Sequence, residues 1–277
     1  MRPPSSNVNF FGFSTLIFVL AAASIATAWS PLRSGLQAAS RDQAVQFVSA
    51  AASAPPQEAV TDYRLATWLD PHNRDAFLGL ARTLIKAGHS ESALAALEEA
   101  GQGSEAAELR VRTLIELGRS AEAANRATDV AHAGASDADL LLAALAYALS
   151  GRSTDITPLI PLTSSPEAAG RLARAQAGNV SLAGELYASG LPESSRALLV
   201  KQPTSFERNL LLGHIYFDRG TPADLSTATD YLTNAAALNP SNLEVHQLLA
   251  TVYTDRGLIA ESSAQALLAQ KLISARP

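Results

Sequence analysis

What most limits the fold of this chain is a glycine that keeps returning among the same neighbours. Gly88, Gly118, Gly151, Gly190, Gly220 and Gly257 stand 30, 33, 39, 30 and 37 residues apart. Four residues before them are Leu84, Leu114, Tyr147, Leu186, Tyr216 and Tyr253. Seven residues before them are Ala81, Val111, Ala144, Ala183, Gly213 and Ala250, all small or β-branched. Residues three and four apart share a helix face, so each glycine ends a first helix that lets a neighbour approach closely and fills the gap beyond with a large side chain. Residues 74–100 show one whole unit. Phe77, Leu80, Ala81, Leu84 and Ile85 form an apolar helical stripe, Gly88 falls at the left-handed cap, and Leu94, Leu97 and Ala100 form a second stripe. Ser90, followed by Glu91, is placed to cap that second helix. Neither stripe can be buried by one helix alone, so adjacent copies must cover it.

Composition agrees with a helical array. Hydrophobic residues make up 47% of the 277-residue chain but aromatics only 6%, the excess being helix-favouring Ala and Leu. No alternating Val, Ile and Thr pattern marks strands. The net charge of -5 supplies no polybasic surface, which argues against nucleic acid and anionic headgroups as partners. Cysteine is absent, excluding disulfides, thiol catalysis and cysteine-based zinc sites.

The repeating residues resemble the tetratricopeptide repeat, whose 34-residue signature runs W-x2-L-G-x2-Y, then A-x3-F, then P. The fullest copy reads Asn209, Leu212, Gly213, Tyr216, then Ala228, Leu232 and Pro240. Others read Phe77, Leu80, Ala81, Leu84 with Ala93 and Leu97, and His246, Leu249, Ala250, Tyr253; Ala59, Tyr63 and Pro71 supply a second half alone. The resemblance implies an all-α, helical-hairpin solenoid of about six or seven pairs over residues 41–274, irregular at 152–204. The spacing of 37 is read as three extra residues in Thr221–Ser226 that lengthen a turn, and the spacing of 39 as a segment in which Pro158 and Pro161 forbid a regular second helix. Ser165-Pro166-Glu167 then restarts a helix.

Ahead of the array, residues 10–29 carry no charge, and the uncharged run extends from Pro3 to Leu32. At about 1.5 Å per residue the segment reaches about 30 Å, enough to cross a bilayer as a single N-terminal transmembrane helix, with Trp29 at the interface. Residues 1–9 are then a short tail and 30–40 a tether. The alternative is a cleaved signal peptide, with Ala26, Thr27 and Ala28 as a small-x-small site. Both place the repeat domain outside the cytoplasm, on a membrane or as a secreted or periplasmic protein.

No motif points to catalysis, and the expectation is a non-enzyme without cofactor, metal or small-molecule substrate. The five histidines are dispersed, and no Walker, G-x-G-x-x-G or G-x-S-x-G pattern occurs. Asp137 and Asp139 precede an apolar helix and read as capping residues rather than metal ligands. Asn179-Val180-Ser181 matches a glycosylation sequon, with helix capping as the competing reading.

The resemblance implies that positions six and ten before each glycine face a concave groove that receives a protein or peptide partner. Arg82 and Arg112 would stand there together to bind an acidic group, or each would pair with a local acid such as Glu108. Leu141, Leu145, Leu149, Val180 and Tyr187 would make the groove apolar further along, unless Ile156–Leu162 folds over it. His214 and Phe217 complete its C-terminal part. The role expected is that of an interaction scaffold assisting envelope assembly, with a self-associating subunit of an export machine as the alternative.

Overall fold

The computed structural model describes residues 37–275, so the expected membrane segment 10–29 and the tail 1–9 lie outside the described residues. Among the described residues there are helices and turns but no strand, and no helix is long and apolar enough to cross a membrane. The chain divides after Gly101 into two compact units.

The first unit holds α1 (37–51), α2 (Pro56–Leu69), α3 (Arg74–Lys86) and α4 (Ser90–Glu99). Residues 37–40, expected in the tether, are already helical. Pro56 opens α2 where its missing N–H is not needed, and Asn73 caps α3, its Oδ1 accepting from the Ala76 N–H at 3.0 Å. Ala44, Ala66 and Ala76 bring α1, α2 and α3 together, with Phe47, Val48 and Leu69 against them. At Gly79 a Cβ would lie 2.3 Å from the Tyr63 ring, so α2 packs its tyrosine directly on the α3 backbone. That contact lies outside the glycine register, which marks Ala81 as the small position; Ala81 is also fully buried.

Gly88 shows how each hairpin turns. Its φ of 77° lies where an L-residue with a Cβ is disfavoured by about 1–2 kcal/mol. The His89 N–H reaches back to the Leu84 carbonyl at 2.8 Å while the Gly88 N–H donates to Ile85 at 3.0 Å, satisfying carbonyls that the helix end leaves open. The same reach-back recurs from Arg119 to Leu114 (2.9 Å), Arg152 to Tyr147 (2.8 Å), Leu191 to Leu186 (2.9 Å) and Leu258 to Tyr253 (2.8 Å). In every case the acceptor is the large residue four before the glycine. The turn also corrects the expected role of Ser90. His89 closes the cap and serves as the α4 N-cap, so Ser90 is already helical and no side chain caps α4.

The second unit holds α5 (Ser104–Glu116), α6 (Ser120–Arg126), α7 (Asp137–Leu149), α8 (Pro166–Ala177), α9 (Asn179–Ala188), α10 (Pro192–Leu199), α11 (Phe206–Arg219), α12 (Pro222–Leu238), α13 (Leu243–Asp255) and α14 (Ile259–Ser274). They pair in order into five hairpins, α5 with α6 through α13 with α14. The α11–α12 hairpin is tightest at Gly213, where a Cβ would lie 2.4 Å from Leu232 Cδ2. Here the three extra residues do not lengthen a turn. Gly220 (φ 67°) is followed at once by Thr221, whose Oγ1 accepts from the Asp224 N–H, and by Pro222 at the first helical position. The insertion therefore lengthens α12 to 17 residues, against 10 in α4.

The irregularity expected over 152–204 has two separate parts. Ser153–Leu162 winds as 3-10 turns, Pro158 and Pro161 excluding an α-helix, and packs on α7 through buried Ile156 and Leu159. The second helix of that hairpin is postponed to α8, which Ser165 caps and Pro166 opens as its sequence implies. The other part is a long-range closure. The α9–α10 hairpin touches not only α7 and α11 but also α5, where Ser194 Oγ donates to the Ile115 carbonyl at 3.1 Å. In a regular solenoid each repeat meets only its neighbours.

Two glycines of α9 and its turn should respond oppositely to the same change. Gly184 is helical with open space at its Cβ position, whereas Gly190 has φ 74°. Gly184→Ala is expected to stabilise by up to about 1 kcal/mol and Gly190→Ala to destabilise by about 1–2 kcal/mol in denaturant unfolding.

Candidate partner-binding face

The residues expected to line the groove are distributed by the fold into three groups. Arg82, in the first unit, is exposed on α3 and borders a depression of about 300 Å³ with Tyr63, Thr83 and Lys86. Arg112, in the second unit, is held within the fold. Its Nη1 donates to the Ser189 carbonyl at 2.7 Å, at the C-terminal end of α9, and its Nη2 lies 3.6 Å from Glu108. A cation is favoured where a helix leaves its last carbonyls open. The local pairing with Glu108 weighed from sequence is thus present, and a second partner 77 residues away occupies the same guanidinium.

Leu141 and Leu145 are corrected from groove to core, being 4% and 0% exposed. The physical reason is that α7 is apolar around its whole circumference: Leu140 through Tyr147 are all buried, and α5, α6, α8, α9 and the 3-10 segment surround the helix. A helix of that kind becomes a centre rather than one wall of a groove. Its entry is polar and satisfied. Ser136 and Asp139 form a reciprocal capping box, and Asp137 accepts from the Ser164 N–H (2.8 Å) and Oγ (2.5 Å), which holds its carboxyl below the ordinary range. Both acids serve helix ends, and no group of three or more His, Cys, Asp or Glu side chains among the described residues could hold a metal ion. The capping reading of Asn179 fails: the α9 N-cap is Gly178, no side chain caps that helix, and Asn179 itself takes φ 53°.

Tyr187 on α9 and His214 and Phe217 on α11 belong to the first helices of two successive hairpins, and Glu244 on α13 extends the group to a third. The Tyr187 hydroxyl donates to Asp218 Oδ2, and its ring centroid lies 6.3 Å from that of His214, whose Nε2 is 3.0 Å from Glu244 Oε1. Burial first, then the hydrogen bond to Asp218 and after it the Asp218 charge, push the Tyr187 phenol well above its ordinary value. Phe217 is half-buried and packs against the cluster of Leu225, Leu232, Leu249 and Val252. Asp218 and Glu244 were missed in the sequence. Their signal is the period itself, since they follow Tyr187 and His214 by 31 and 30 residues.

Two further polar groups lie among the neighbouring helices. Glu185, on α9, is 5% exposed and receives Arg171 Nε at 2.7 Å and Arg174 Nε at 2.5 Å, which fixes α8 to α9. Between α5 and α10, Leu149, Glu193, Arg196 and Lys201 line a cavity of about 510 Å³ with Glu116, whose carboxyl burial raises and Arg112 partly lowers.

No protein-family model matches the chain, and no curated protein does. Among solved structures it is similar to a tetratricopeptide repeat protein from Parabacteroides merdae ATCC 43184, at 14% identity over 86% of this chain and 93% of that one, with a TM-score of 0.41. It is also similar to MamA (13% identity, 79% and 89% covered, TM-score 0.26). A third is a human IFIT1 dimer with PPP-AAAA (14% identity, 86% and 64% covered, TM-score 0.36). At scores this low the tetratricopeptide-like character rests on this chain's own caps and close approaches.

Truncation distinguishes a core position on α7 from a groove position. Leu145→Ala is expected to cost about 3 kcal/mol in denaturant unfolding, the range for a fully buried leucine. A loss under about 0.5 kcal/mol would return Leu145 to a surface.

Proposed function

We propose that the chain is a non-catalytic protein-interaction scaffold whose second unit receives a partner segment along the first helices α9, α11 and α13. The observation that carries this reading is the side-chain ladder from Asp218 through Tyr187 and His214 to Glu244, which joins three successive hairpins on one face. Polar groups repeated at the hairpin period suit an extended peptide or a helix lying across the repeats, each contacting one or two side chains. Phe217 adds an apolar flank to the ladder. Arg82, with Lys86 one turn away, offers the first unit a separate contact for an acidic group.

The finer reading is that residues 10–29 tether the scaffold to a bilayer with the repeats outside the cytoplasm, where it assists assembly of an envelope complex. The uncharged run from Pro3 to Leu32 supports it. Release as a secreted or periplasmic protein is the second reading, favoured by the small-x-small sequence ending at Ala28.

Photo-crosslinking from position 217, followed by identification of the attached protein, tests the face. The expected result is one defined partner whose capture is lost in a Tyr187→Ala, His214→Ala double variant that keeps its helical circular dichroism. Undiminished capture would place the site elsewhere. Full-length chain retained in alkaline-washed membranes supports the tether, and a mature chain beginning at Trp29 contradicts it.

A further inference from the structure

The last helix presents an outer face that matches itself. On its inner face α14 is fixed to α13 by Ser262, whose Oγ donates to the Ala250 carbonyl at 2.9 Å, by Gln265 against His246 at 2.7 Å, and by buried Ala269. Away from that face Leu267 and Leu268 are open, exposed at 53% and 41%. Exposed leucines on one helix mark an interaction surface.

The order of residues along this face says what covers it. Glu261, Ala264, Leu268 and Lys271 recur at intervals of three and four and so form one stripe. When a second α14 is laid antiparallel with its midpoint at Ala266, Glu261 meets the partner's Lys271, and Leu268 meets the partner's Ala264. Each of these contacts then occurs twice. The large side chain falls over the small one and the acid opposite the base, so one register satisfies both size and charge. Neither Glu261 nor Lys271 makes an ion pair within its own chain among the described residues.

We infer that α14 is a self-association surface that takes the α14 of a second copy of this chain in an antiparallel, two-fold arrangement. The inference is independent of the ladder on α9, α11 and α13, which lies on first helices and stays open in such a dimer. A helix of 16 residues is about 24 Å long and supplies less contact than the ~1,200–2,000 Å² of a standard stable interface. The dimer is therefore weak and concentration-dependent.

Sedimentation of the full chain in mild non-ionic detergent, with charge-swapped variants, tests the pairing. Glu261→Lys and Lys271→Glu each place like charges opposite one another twice, and each is expected to weaken association about tenfold. The double variant restores opposite charges and should associate within about twofold of the unchanged protein. The chain has no cysteine, so disulfide capture gives an independent register test. Ala264→Cys mixed with Leu268→Cys should crosslink faster than either variant alone. A full chain that stays monomeric at every concentration, single variants that associate normally, or a double variant as weak as the singles would each overturn the inference.

Discussion

The structure depends on one backbone constraint: a residue with positive φ immediately after the first helix of each hairpin. Glycine enters that conformation without the penalty a Cβ imposes, and the next N–H then closes on the carbonyl of the large residue four before the glycine. The same residue that fills the space between helices thus also anchors the turn. Where Thr221 starts α12 directly, Gly220 keeps its positive φ but no such reach-back forms, and a side-chain cap and a proline take over the turn. Turning the chain is the fixed requirement, and the bond that secures the turn can vary.

From those turns the packing follows. Small positions allow close approach, most strongly at Gly79 against Tyr63 and at Gly213 against Leu232. In the second unit one helix departs from the pattern of two-sided repeats. With eight consecutive residues from Leu140 to Tyr147 buried, α7 gathers α5, α6, α8 and α9 around itself, and the α9–α10 hairpin closes back on α5. From the closing hairpin onward, successive first helices bring Tyr187, His214 and their acidic partners onto one face.

How much of this is legible in the sequence depends on how far apart the interacting residues are. The glycine register, the caps at Ser165 and before Asp139, and the loss of α-helix at Pro158 and Pro161 are local, and local chemistry decides them. Ser90 and Asn179 show the limit even of local reading: a good capping residue one position too late is simply the first residue of a helix. The longer α12 escaped because an insertion can enter a turn or a helix at equal length, and Thr221-Pro222 selects the helix. Leu141 and Leu145 were misplaced for a longer-range reason. The face of a helix can be read from periodicity, but an apolar helix in the middle of an array has no outer face to read. The bond from Arg112 to Ser189 spans 77 residues and follows only from the closure. Tyr187 and His214 were each read onto the groove from their place in the repeat, whereas Asp218 and Glu244 become visible only when the repeat period is applied to them in turn.

The constraint on which the rest depends is open to direct measurement by native-state hydrogen exchange at single amides. The residues after the glycines, His89, Arg119, Arg152, Leu191 and Leu258, should exchange markedly more slowly than exposed amides, each held by its reach-back bond. Thr221 is the internal control, lacking that bond, and should exchange fast. Five amides exchanging as fast as Thr221 would contradict the account.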